Sequence, residues 1–176
     1  MSVYSLGDVY PLATRLLIGT RALSSGGLEI GSAHAYNVQT ANTITYLIDG
    51  VFYSKGAADG LFSLPATASV IPPGGSALSA TVQSTAFTND FRYFVLALDS
   101  SGNGYAYISN ANGMPAAELA PDVTLFPDIP AGLCVVGYIK VVAASGYTFT
   151  PGTTALNATG ITTTYVNCSV IPSSIT

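Results

Sequence analysis

The chain has 176 residues, of which 5 are Lys or Arg and 9 are Asp or Glu, so 8% are charged, against about 25% in an ordinary soluble domain. A net charge of −4 with five scattered cations offers no basic face for a phosphate backbone, which excludes direct nucleic-acid binding from the expected roles. The hydrophobic fraction is 49%, yet the longest apolar runs, Phe94–Leu98 and Leu133–Ile139, fall far short of the roughly 18 to 20 residues that cross a bilayer as a helix, so no membrane partner is expected.

The first residues, Met-Ser-Val-Tyr-Ser-Leu-Gly-Asp, lack the basic region and apolar run of a signal peptide, and the chain is expected to start out in a cytoplasm. Residues 1–40 hold a short apolar piece, Arg15-Leu16-Leu17-Ile18, then a Ser24-Ser25-Gly26-Gly27 break and little sustained alternation. They read as an N-terminal arm or peripheral strands. Fully extended, such an arm reaches roughly 130 Å at about 3.3 Å per residue, enough to cross neighbouring subunits and add strands to their sheet edges.

From residue 41 onward strand signals dominate. Thr43–Ile48, the dipeptide Asp49-Gly50 and Val51–Lys55 form the strongest short-range hairpin signal, because a type I′ turn needs φ > 0 at both central positions. Phe91–Asp99 and Tyr105–Ser109, joined by a loop containing Gly102, Asn103 and Gly104, read as a second hairpin. Phe91–Leu98 is mostly apolar on both faces, as a strand covered on both sides would be. The same holds for Leu133–Val142, where Lys140 is the one charge. Ile161–Val170 alternates and reads as a closing strand with one wetter face. Prolines at 65, 72, 73, 115, 121, 127, 130 and 151 mark loops, crossings or edges, and one helical turn is plausible near Ala116–Leu119. The expected fold is all-β, an antiparallel β-sandwich over residues 41–176, jelly-roll-like, with residues 1–40 as the arm.

Little chemistry is expected. The single histidine, His34, rules out a metal site needing two imidazoles and reads as a polar loop residue. Cys134 and Cys168 lack the CxxC spacing of a zinc site; they are read as buried free thiols, with a disulfide between adjacent strands as the alternative. Asp49 and Asp99 sit where turns need them. Glu118, Asp122 and Asp128 form the densest acidic neighbourhood, without the spacing of a calcium loop. The glycines at 74–75 and 102–104 are not followed by the Lys-Ser/Thr of a phosphate loop. Asn157 and Asn167 match the glycosylation pattern by chance in a Ser- and Thr-rich chain. No catalytic, cofactor or metal residue is nominated.

Thr43–Lys55, Phe94–Gly104, Phe126–Val142 and Tyr147–Gly160, above all Asp128-Ile-Pro-Ala-Gly followed by Gly137-Tyr-Ile-Lys-Val, resemble structural proteins of tailed-bacteriophage virions. The resemblance covers roughly residues 40–165 and rests on strand-and-turn phrases. Within that group the size and arm look like a capsid decoration, or cement, protein. The resemblance implies a non-enzymatic protein on the capsid exterior, assembled in the host cytoplasm, that clamps major capsid protein subunits as an oligomer, in such proteins commonly a homotrimer. The candidate contacts to capsid or to other copies are Arg15, Leu16, Leu17, Ile18, Arg21 and Arg92, since rare charges in an apolar surface tend to have partners. Solvated rim positions are the other reading of the arginines. The alternative function is a tail-fibre, head-fibre or baseplate module that binds host-surface glycans through tyrosines in loops such as Ser101–Tyr107.

Overall fold

A computed structural model describes residues 19–64, 87–88, 90–108 and 129–168. All regular structure among them is β, paired antiparallel throughout. The strands are β1 (Arg21–Ala22), β2 (Leu28–Ile30), β3 (Asn37–Thr40), β4 (Ile44–Ile48), β5 (Val51–Lys55), β6 (Ala58–Ser63), β7 (Phe87–Thr88), β8 (Phe91–Leu98), β9 (Gly104–Ile108), β10 (Cys134–Ala143), β11 (Thr148–Phe149) and β12 (Ile161–Asn167). They form sheets ordered β1-β4-β5, β2-β3-β6, β12-β10-β8-β9 and β11-β7.

Both expected hairpins are present. Ile48 faces Val51 across the first turn, where Asp49 (φ 50°) and Gly50 (φ 81°) take the left-handed conformations that a two-residue turn imposes. Leu98 faces Gly104 across the second. The two-sided apolar pattern of β8 is explained by its place: all eight of its residues are buried, between β10 and β9 in the widest sheet. On one face Phe94, Leu96 and Leu98 enter a core shared with Ile44, Tyr46, Val38, Phe62 and Phe149 from the other sheets. On the other face Val95 and Ala97 join Tyr107 and Leu133 in a second cluster. Each fully buried large apolar side chain contributes about 1.5–3 kcal/mol by leaving water.

In β10 the register shifts between Val135 and Gly137. This bulge lets Cys134 and Val136 before it, and Ile139, Val141 and Ala143 after it, all enter the same core, which strict alternation would forbid. Glycine is required there, since a Cβ at position 137 would collide with the Leu28 side chain and the Val166 carbonyl. In β12 the wetter face is that of Thr162 and Thr164, which are exposed, while Ile161 is buried.

Residues 21–40 supply three strands. β1 pairs with β4, β2 with β3, and β3 with β6, and Ala22, Leu28 and Val38 lie in the main core. The stretch from 21 to 40 is thus strand built into the sheets and the main core; residues 1–18 lie outside the described residues, as do 109–128, with the expected turn near Ala116–Leu119, and Pro65, Pro72, Pro73, Pro115, Pro121 and Pro127.

Candidate interaction surface

Among the described residues, β5 is an edge strand with three of its five residues exposed. Its inner edge is fully paired to β4, and its outer edge carries no strand among the described residues. β4 turns Ile44, Tyr46 and Ile48 into the core, and Tyr53 of β5 stacks on Tyr46 with ring centroids 5.7 Å apart. The Tyr46 hydroxyl donates to the Asp99 carbonyl at 2.8 Å, which anchors the hairpin to the β8–β9 turn. Burial pushes the Tyr46 hydroxyl pKa up, with the Asp99 charge adding to it. The hairpin is therefore fixed at its base while its tip faces outward. There Val51 and Phe52 are 53% and 60% exposed, a poor place for an aromatic ring unless something covers it.

Beside the tip lies a cavity of about 560 Å³. Its apolar wall is Ala22, Ile129, Pro130, Leu133 and Val135, where Leu133 also belongs to the second cluster. Thr20, Arg21, Asp49 and Cys168 contribute its polar groups. Asp49 accepts a long 3.4 Å hydrogen bond from the Thr20 hydroxyl and donates its own N–H to that hydroxyl at 3.1 Å. The Nε of Arg21 is buried with no hydrogen-bond partner, although a guanidinium stays charged and seeks acceptors.

The structure separates the candidate contact residues. Arg21 stands in β1 at the cavity. Arg92 is only 8% exposed; its guanidinium pairs with Asp90 and donates to the Phe91 carbonyl at 2.9 Å, so the partner of this rare charge lies within the chain. Arg15, Leu16, Leu17 and Ile18 lie outside the described residues, as do Glu118, Asp122, Asp128 and the 74–75 glycines.

Both cysteines are free thiols. Burial pushes Cys134 up to about 11, with Cys168 adding to the shift, and burial raises Cys168 as well, so neither is poised as a thiolate nucleophile. His34 packs edge-on to Tyr36 at 5.7 Å in a turn where the His34 carbonyl accepts from Asn37 N–H. The Asp59 carboxylate holds that turn by accepting from the Ser32 and Ala33 N–H groups, each at 2.9 Å.

Asp99 fills its turn role. It accepts from the Ser101 and Asn103 N–H groups, the Asn103 side chain and the Tyr105 hydroxyl. These tie down the loop expected to read sugars in the alternative function: Tyr105 is committed to Asp99, and Tyr107 is 3% exposed. Asn167 is likewise engaged, accepting from Leu28 N–H at 3.0 Å.

The hairpin tip and cavity were missed as a site in the sequence. The available signal was Val51-Phe52 directly after Asp49-Gly50, two adjacent large apolar residues that no alternating strand can bury together. The cavity had no comparable signal, because its walls come from four separated segments. Comparison with known proteins gives no match to a protein-family model, a curated protein or a solved structure.

Proposed function

We propose that this chain is a structural virion protein that decorates a phage capsid exterior and stabilises it, clamping neighbouring major capsid protein subunits as an oligomer, in the simplest case a homotrimer. The observation that carries the reading is the rigidly based β4–β5 hairpin with exposed Val51 and Phe52 at its tip and an outer edge on β5 that no described strand covers. A sheet edge beside an apolar tip is suited to strand addition and hydrophobic contact between proteins. The low charge supports the same reading, since interface cores are depleted of charged residues. In this reading the sheets form a jelly-roll-like sandwich, with the main core between the β12-β10-β8-β9 layer and the smaller sheets, and the work is done by several simultaneous contacts rather than by chemistry. No catalytic step is assigned.

Purified virions labelled with an antibody to the chain test this. Dense, regular label over the whole head is expected. Label confined to the tail or to one vertex would replace the decoration role with a fibre or adhesin role, and absence of label would overturn the virion reading.

A further inference from the structure

We infer that copies of this chain bind one another by seating the β4–β5 hairpin tip of one copy in the cavity beside Arg21 of another. This deepens the proposed function, on which it rests only for the expectation that the protein self-associates. The two halves of the contact lie on the same molecule. One is a knob, Val51 and Phe52, exposed at 53% and 60%. The other is a cavity of about 560 Å³ whose apolar wall includes Ala22, Leu133 and Val135, roomy enough for both side chains.

Charge selects this occupant. The Arg21 side chain makes no hydrogen bond or ion pair among the described residues, and its Nε is buried without an acceptor. An orphaned nitrogen of that kind is costly, and a carboxylate brought against the rest of the half-buried Arg21 side chain offsets part of the cost. The incoming hairpin brings one, because Asp49 precedes Val51 by two residues and its carboxylate is engaged only by the long bond from Thr20 among the described residues. One insertion thus buries the aromatic knob and brings a second carboxylate to Arg21, beside the receiving copy's own Asp49 on the cavity rim. Knob and cavity are contiguous, since Asp49 belongs to both the turn and the cavity rim. The same contact can close around a two-fold axis or run head to tail around a ring.

Cys168, which lines the cavity, provides the test. In full-length Phe52→Cys, mild oxidation should join chains through a disulfide between the introduced thiol and Cys168, identified by peptide mass spectrometry and lost in the double variant Phe52→Cys/Cys168→Ser. Cys134 is fully buried and should stay unmodified. Links only between two introduced thiols, or no link between chains, would overturn the contact. Because the cysteine variant itself removes the aromatic ring, sedimentation equilibrium is run in parallel. The unmodified chain should be an oligomer, and Phe52→Ser or Arg21→Gln should weaken association roughly tenfold or more, as loss of a central anchor does. A chain that stays monomeric up to its solubility limit, or association unchanged in both variants, would defeat the proposal. Head label on virions without the disulfide to Cys168 would remove this contact and leave the decoration reading standing; the disulfide without head label would do the reverse.

Discussion

Arg92 lies under the surface in a strand that is otherwise apolar, and Asp90 is the carboxylate that pairs with its guanidinium. Asp90 sits just before β8 and turns its carboxylate onto the guanidinium, with side-chain exposures of 10% and 8% for Arg92 and Asp90. Burying two charges is costly, and their attraction offsets that cost only while both are present. Arg92→Met should therefore destabilise the fold by about 3–5 kcal/mol, because it strands the Asp90 carboxylate, whereas Asp90→Asn/Arg92→Met should recover much of the loss. Urea unfolding midpoints of the two variants decide it; equal midpoints would mean the pair is not coupled. Lys140 offers a contrast at the same scale: its ammonium lies 4.6 Å from the Phe91 ring centroid and 5.8 Å from that of Tyr93. A cation over aromatic faces is attracted by the rings themselves and needs no carboxylate.

At the scale of elements, the β10 bulge decides which side chains reach the core. Gly137→Ala adds one methyl group against the Leu28 side chain and the Val166 carbonyl, and backbone cannot yield as a flexible side chain does. The variant should lose about 1–3 kcal/mol, the usual cost of overpacking, read as a lower denaturation midpoint; an unchanged midpoint would show that the bulge can relax. How legible each element is in the sequence depends on how local its cause is. The β4–β5 and β8–β9 hairpins are written into their turns, Asp49-Gly50 and Gly102-Asn103-Gly104, and the double-sided β8 into apolar residues that occupy both of its faces. β1, β2 and β3 are two to four residues long and owe their form to distant partners, so no periodicity announces them. β6 is hidden in the sequence by Asp59-Gly60, a turn-like pair, although Gly60 at φ 62° sits within the strand. Of the candidate surface, the knob follows from local pattern and the cavity does not, because Arg21 meets residues 129–135 only through the folded sheets.

For the whole molecule, carboxylates such as Asp99 and Asp59 serve as clips on loops, and this sets the response to acid. Burial alone would raise Asp99, but hydrogen bonds from Asn103, Tyr105 and Ser101 outweigh it and hold the carboxyl below its ordinary value. Asp59 is also lowered, first by the Ala33 N–H, with burial opposing it and the Ser32 hydrogen bonds and the nearby His34 adding to the lowering. A depressed carboxylate pKa in the folded state stabilises the fold at pH values above the unfolded pKa, and that contribution is lost as pH falls through the folded value. Stability should thus be flat near neutrality and decline below about pH 4. Asp99→Asn should flatten part of the decline, while an identical acid profile in that variant would show that the clip carries no linkage.

The central position of β8 has a consequence for how the chain comes to be folded. Its partner β10 lies beyond the whole 99–133 stretch, so the pairing that buries it waits on closure of a long loop, and such non-local sheets fold slowly. Until then Phe91–Leu98 is a run of eight residues with high β-propensity and a single charge, the kind of segment that stacks into cross-β aggregates. Arg92, later sealed against Asp90, interrupts that run while it is still exposed and serves as its gatekeeper during synthesis.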